Sequence, residues 1–386
     1  VALMCACFHE RRLKPAATKI VIGAQPVKTR TYNKEVWIMD IKDLLKAAVE
    51  KEASDLHITE NSAPIVRVDG KLIPLNFPRL DKECCKRLVY SILDDKQKAV
   101  FERDLELDLS LEVPGLNRFR VNVHMQRGSV EAAFRLVSLK IRTVAELGLP
   151  PVITDICSKN QGLILITGPT GVGKTTTLAA MVDLINTERQ AIIIDIEDPI
   201  EYVHINKRSI IKQREVYADT RSFATALIHA LRQDPNVIVV GEMRDIETIS
   251  TVLTAAETGH LVLATLHTPD ASQTVDRIID VFPPYQQEQV KIQLSTTLQC
   301  VISQQLLPRR DRPGRVIATE VMIATNAIRN LIREHETEQL LTHIQTGGQL
   351  GMHTMDKSLK TLYQKGIIAE SVLKTYIKNP DEVRNL

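Results

Sequence analysis

The stretch Gly168 to Thr175 constrains this chain more than any other, because it reads GPTGVGKT and matches the spacing G-x-x-x-x-G-K-[ST]. An apolar run, Gly162-Leu163-Ile164-Leu165-Ile166-Thr167, leads into it, and a stretch of helical spacing, Thr175 to Asn186, leads away. Strand, glycine turn and helix in that order belong to an α/β fold with a parallel sheet. Gly168, Gly171 and Gly173 permit a turn whose N–H groups face inward, and inward N–H groups bind anions. Lys174 adds a point charge for terminal phosphates, and Thr175 a hydroxyl suited to Mg²⁺. The helix start contributes its positive end. Gly168, Pro169, Thr170, Gly171, Val172, Gly173, Lys174, Thr175 and Thr176 are therefore the expected contacts to a nucleotide. Average composition gives such a match by chance on the order of 1% of the time in a chain this long, and the flanking strand and helix lower that further.

A loop of this kind binds, but hydrolysis also needs groups that place a metal and polarise water. Two acidic clusters follow apolar runs, where ligands gather in open α/β sheets. One is Asp195-Ile196-Glu197-Asp198-Pro199-Ile200-Glu201; the other is Val237-Ile238-Val239-Val240-Gly241-Glu242. Glu242 could hold Mg²⁺ through water or act as a general base, and Glu201 is a second candidate carboxylate. The plain alternative for both is a solvated strand end or helix cap. A third run ends at Thr265-Leu266-His267-Thr268, where His267 is either structural or a sensor of the γ-phosphate. Arg277, on a helical stretch beyond it, reads as a solvated charge.

The remaining runs, Ala191–Ile196 and Leu261–Thr265, alternate with helical stretches and predict a sheet covered on both faces. Before them, 39–137 reads as a separate mixed α/β domain and 138–151, with Gly148, Pro150 and Pro151, as a linker to a domain over 152–386. Ile65–Val68, Asp69-Gly70 and Lys71–Ile73 carry a hairpin signal. Residues 81–104 are helical in spacing, and beyond about 325 the pattern is mostly helical. Residues 118–125, RFRVNVHM, alternate, with 130–137 as the expected neighbouring strand. Arg118 and Arg120 then share a face with Asn122 and His124. That face is either solvated or a cationic surface offered to a neighbour's triphosphate, with Arg127 and Arg135 as further candidates. Residues 1–38 lack sustained periodicity, and an amphipathic spacing begins after Met39, so 1–38 reads as a disordered or spurious extension.

Lys and Arg total 49 against 47 Asp and Glu, a net charge of +2, which argues against a dedicated nucleic-acid binder. No apolar run reaches the roughly 18 residues of a membrane span, and Val1–Phe8 makes a poor signal peptide. The cytoplasm is the expected location. None of the six cysteines forms a C-x-x-C pair, so reduced thiols without a zinc site are expected.

The motifs form a set. GPTGVGKT, IEDPIEYVH (196–204), GEMRD (241–245), AAETGHL (255–261) and TLHT (265–268) together resemble the secretion ATPases of type II and type IV pilus machines. Within that superfamily 39–386 is similar to the pilus retraction ATPases, through ASDLH (53–57), RFRVN (118–122), QREV (213–216), QTGG (345–348) and, most specifically, AIRNLIRE (327–334). The resemblance implies a PAS-like N-terminal α/β domain followed by a RecA-like P-loop ATPase domain with C-terminal helices. It implies ATP and Mg²⁺, a homohexamer at the cytoplasmic face of the inner membrane, a membrane platform protein as partner, and the option of a PilU-like paralogue. Glu201, Glu242 and His267 match the family's Asp-box, Walker B and His-box residues. Arg118, Arg120, Arg127, Arg135 and, through TVDR (274–277), Arg277 gain an expected place near the nucleotide. In AIRNLIRE the family implies a role in retraction, beside the plain reading of a core-packed helix.

Rival readings are a PilU-like, secretion or pilus-assembly ATPase, a RecA-like nucleic-acid translocase, and a non-hydrolysing regulatory subunit. The resemblance implies a tetracysteine zinc site in the assembly ATPases, and its absence here disfavours the assembly and secretion enzymes; near-neutral charge disfavours the translocase, and Glu201 with Glu242 the regulatory subunit.

Overall fold

The computed structural model describes residues 39–68, 70–137 and 141–379; the readings of 1–38, and of 138–140 within the linker, lie outside them. The chain forms two compact units. One extends to Leu107 and takes in Val123–Ala133, and the other comprises Asp108–Asn122 and the chain from Phe134 onward.

In the first unit, Asp40 caps α1 (Ile41–Glu50) by accepting from the Lys42 N–H, and Ile41, Leu44, Leu45 and Ala48 form its buried face, as the spacing requires. The hairpin signal is realised in β2 (Ile65–Val68) and β3 (Lys71–Pro74), antiparallel to each other, with β1 (Asp55–Ile58) antiparallel to β2. The charged stretch 81–104 forms two helices, α2 (Lys82–Tyr90) and α3 (Asp95–Asp104), each begun by an aspartate cap, Asp81 and Asp94. With β4 (Glu106–Val113), β5 (Asn117–Gln126) and β6 (Ser129–Leu136), the strands form a six-stranded sheet in the order β3-β2-β1-β6-β5-β4. Phe119, Val121 and Val123 are buried along β5, the alternation expected of RFRVNVHM.

The second unit is built on a seven-stranded sheet in the order β13-β12-β7-β11-β10-β8-β9. Four of its strands are the apolar runs: β7 (Gly162–Thr167), β8 (Ile192–Glu197), β10 (Val237–Val240) and β11 (Leu261–Leu266). They are parallel to their neighbours in this group. Both faces are covered, and successive residues serve opposite sides. Leu163, Leu165, Ile238 and Val240 enter one core, while Ile164, Ile166, Val237 and Val239 enter the other. Helices α4 (Val152–Cys157), α5 (Lys174–Glu188), α6 (Phe223–Ala230), α7 (Ile246–Glu257), α8 (Ala271–Asp280) and α9 (Pro284–Thr297) accompany it.

Three further strands were not among the apolar runs expected from the sequence. β9 (Ile210–Glu215, IIKQRE) is an edge strand, where charged side chains are tolerated. β12 (Leu298–Pro308) and β13 (Arg315–Ile323) pair antiparallel, and their centres carry Ser303, Gln304 and Glu320, polar yet buried. In the segment 141–151, Val144 and Leu149 are buried in the same core as Ile153 and Ile156.

The C-terminal part holds α10 (Asn326–Glu334), α11 (Leu340–Thr346), α12 (Met355–Gln364) and α13 (Glu370–Tyr376), the helices expected there. All of AIRNLIRE lies in α10, whose Ile328, Leu331 and Ile332 belong to the main core, so the plain packing reading describes these three side chains. Arg329 Nη1 donates at 2.6 Å to both Ser295 O and Thr296 O near the end of α9. Cys84, Cys85, Cys157 and Cys300 are all free thiols, and burial pushes Cys157 up to about 12. No helix among the described residues is long and apolar enough to cross a membrane.

Glu320 joins two helices to the sheet. Its carboxylate accepts from Ala271 N–H at 3.0 Å and Met355 N–H at 3.4 Å, the first residues of α8 and α12. Burial raises its pKa, and those N–H groups act against the rise. Glu320→Ala leaves both donors without that acceptor and should cost roughly 1–3 kcal/mol, read as a lower thermal midpoint, whereas Glu320→Gln should retain most of the stability.

Candidate active site

The loop between β7 and α5 has the conformation that its glycines make possible. Gly168 sits at φ +138°, and a Cβ there would lie 2.5 Å from Gln304 O. Gly171 and Gly173 sit at +83° and +92°. Gly173 is the N-cap of α5 and offers no side-chain acceptor, so the first N–H groups of this helix are left to face an anion. Two hydrogen bonds fix the loop to β12: Gln304 Nε2 donates to Val172 O (3.1 Å) and Thr177 Oγ1 donates to Gln304 Oε1 (2.9 Å). Beside them, Thr167 and Ser303 hydroxyls meet at 2.8 Å.

Lys174 is 8% exposed. Its ammonium donates to Gly168 O at 2.8 Å and Pro169 O at 3.1 Å and lies 3.4 Å from His267 Nδ1. Burial lowers its pKa, while Glu242 and Glu201 act against that. His267 Nδ1 faces this donor and so is the acceptor, which leaves the proton on Nε2, 3.5 Å from Glu242 Oε2. Arg244 Nε holds Glu242 Oε1 at 2.7 Å from a side chain that is 74% exposed. Lys174, His267, Glu242 and Arg244 thus form one chain of contacts. Gly241 lets the strand end come close to β8, since a Cβ there would be 3.3 Å from Glu197 Cα.

Glu201 is exposed after the Asp198-Pro199-Ile200 segment. Burial raises the pKa of Asp198, Glu242 raises it further, and Arg120 and Arg244 lower it, so both acidic strand ends and Arg120 act on one neighbourhood. Beside α5, a small cavity of about 10 Å³ is lined by Thr175, Asp195, Glu197, Tyr202 and His204 among apolar side chains. Burial pushes Asp195 up to about 6, and burial with the neighbouring Asp195 charge raises Glu197 well above its ordinary value. His204 is pushed down to about 4 by burial and is neutral. Tyr202 OH meets Thr176 Oγ1 at 2.9 Å.

The arginines are not equivalent. Arg118 Nη2 binds the buried Glu215 Oε2 at 2.6 Å. Arg120 is exposed, Arg127 stands at φ +49° in the turn between β5 and β6, and Arg135 and Arg277 are exposed on β6 and α8. Gln304, Tyr202, Arg244 and Glu215 were not singled out from the sequence. Arg244 and Glu215 sit inside quoted motifs, but nothing in the sequence marked Gln304. Among the described residues no cluster of three or more His, Cys, Asp or Glu forms a metal cage. Mg²⁺ asks for little more than a hydroxyl, a carboxylate, water and phosphates, and the half-buried Thr175 and the partly exposed Glu242 fit that.

A sequence model described as Type II/IV secretion system protein matches residues 31–374. The chain is 49% identical to the type IV pilus retraction ATPase PilT of Pseudomonas aeruginosa, over 89% of this chain and 99% of that one. It is 37% identical to the type IV pilus ATPase PilU of the same organism, over 90% of this chain and 91% of that one. Among solved structures, that of the pilus retraction motor PilT with bound ADP superposes with a TM-score of 0.85 at 48% identity, covering 90% of this chain and 100% of that one.

Lys174→Ala removes a charged donor and should weaken nucleotide binding roughly 10- to 100-fold. Gly168→Ala should weaken it as well, by moving the loop off Gln304. A fluorescent ATP analogue reads both, and unchanged affinity in either would exclude this loop as the binding site.

Proposed function

The chain belongs to the Type II/IV secretion system protein family, and from that premise we propose that it is an ATP-hydrolysing motor that drives type IV pilus retraction and so twitching motility. The near full-length likeness to a pilus retraction ATPase carries this reading. The lower identity to PilU makes an accessory paralogue the weaker alternative.

In the proposed reaction, phosphates enter the Gly168–Thr175 loop with Pro169, Thr170, Val172 and Thr176 around them, under the positive end of α5. Lys174 exchanges the carbonyls of Gly168 and Pro169 for phosphate oxygens. Thr175 and, through water, Glu242 would hold Mg²⁺, which supplies charge neutralisation at the β- and γ-phosphates. Glu242 orients the attacking water and takes its proton, and Glu201 is the second carboxylate. His267 senses the γ-phosphate through Lys174, because departure of the ammonium frees Nδ1 while Nε2–H still faces Glu242. Arg120 is the arginine best supported near the developing charge, through its action on Asp198. Arg127, Arg135 and Arg277 would act across a subunit boundary.

The family resemblance further supports a homohexamer at the inner face of the inner membrane, a platform protein as its partner, and domains over 39–137 and 152–386. Hydrolysis passed around such a ring would release pilins into the membrane.

A host strain lacking the gene should carry excess pili and not twitch. The wild-type gene should restore movement, and Glu242→Gln should not, with phosphate release down about 10²- to 10⁴-fold and ATP binding retained. Bald cells would overturn retraction in favour of assembly, and wild-type turnover in Glu242→Gln would remove the assignment of the base.

A further inference from the structure

One carboxylate oxygen in the second unit gathers three donors. Glu215 stands at the end of β9, is 5% exposed, and lies in parallel register with Glu197. Its Oε2 accepts from Arg118 Nη2 at 2.6 Å, Ser110 Oγ at 2.9 Å and the backbone N–H of Ile200 at 3.1 Å. Ser110 and Arg118 lie on the Asp108–Asn122 hairpin end, and Ile200 immediately precedes Glu201. The Glu201 side chain is exposed, so its position follows from its backbone, and Glu215 grips that backbone one peptide away. The Arg118 Nε is buried and has no hydrogen-bond partner, so the guanidinium directs its charge at Glu215.

We propose that Glu215 is a positioning residue for turnover: it fixes the Ile200–Glu201 backbone and makes the place of Glu201 depend on the Ser110–Arg118 hairpin end. Arg118 then acts through Glu215 rather than on phosphate. The inference rests on the reading of Glu201 as a catalytic carboxylate. It gives the hairpin a chemical consequence: a shift of Ser110 and Arg118 loosens or tightens the segment that presents Glu201. A buried carboxylate with three donors at one oxygen is suited to this, because losing any partner leaves polar groups unsatisfied.

The test measures phosphate release and ATP binding in full-length Glu215→Gln, Arg118→Ala, Glu201→Gln and the Glu201→Gln/Glu215→Gln double variant, at enzyme concentrations that quantify residual turnover. Glu215→Gln and Arg118→Ala should each lower kcat roughly 10- to 100-fold, the size seen when a group supporting a functional side chain is lost, with ATP affinity within about twofold. The double variant should be no slower than Glu201→Gln alone, since residues acting as one unit are non-additive. Arg118→Met with Glu215→Gln removes both charges together, and covers the case in which a single variant unfolds. It should show the same kcat loss with a near-wild-type thermal midpoint. Wild-type kcat in Glu215→Gln, or an additive loss in the double variant, would overturn the proposal. So would an Arg118→Ala defect that lies in ATP affinity, which would return Arg118 to the phosphates. Wild-type kcat in Glu201→Gln would instead remove the catalytic reading itself.

Discussion

Lys174 carries a charge into a place where charge is costly: it is 8% exposed at the first position of α5, whose unpaired N–H groups add positive potential. Two loop carbonyls, the His267 Nδ1 and the more distant Glu242 and Glu201 compensate it. The loop can present those carbonyls only because Gly168, Gly171 and Gly173 adopt positive φ, and it keeps that shape because Gln304 ties Val172 and Thr177 to β12. The buried polar centre of β12 is the counterpart of the loop. Charged groups met by such an ammonium are anions in waiting, and a polyphosphate offers more acceptors than two carbonyls.

The same parallel sheet brings the other groups to that place. β7, β8, β10 and β11 end in Thr167, Glu197, Val240 and Leu266, and just beyond those ends come Lys174 at the start of α5 and Glu201, Glu242 and His267 in loops. Side chains far apart in sequence thereby meet as one electrostatic unit, in which His267 links the lysine to Glu242 and Arg244. Buried Asp195 and Glu197 add a further layer beneath, where burial raises both carboxyls above their ordinary pKa.

Much of this was legible from sequence where a residue type leaves no second choice. GPTGVGKT between an apolar strand and a helix can do little else, and unbroken runs such as VIVV at 237–240 mark strands covered on both faces. The alternation in RFRVNVHM gave the buried side of β5. What stayed hidden depends on partners distant in the chain. Gln304 and Glu320 interrupt the apolar pattern of β12 and β13, and only the folded arrangement supplies their acceptors and donors. Arg118 read as a surface cation because its partner, Glu215, lies 97 residues away. The helix α10 carried a functional resemblance, yet Ile328, Leu331 and Ile332 are core residues, so a motif can mark packing as readily as chemistry.

The most direct measurement is a crystal structure of the full chain with Mg²⁺ and a non-hydrolysable ATP analogue. This account predicts Lys174 Nζ about 2.7–3.2 Å from a phosphate oxygen, withdrawn from Gly168 O and Pro169 O, with His267 Nδ1 no longer its neighbour. An analogue bound elsewhere, with Lys174 still on the loop carbonyls and His267, would contradict it.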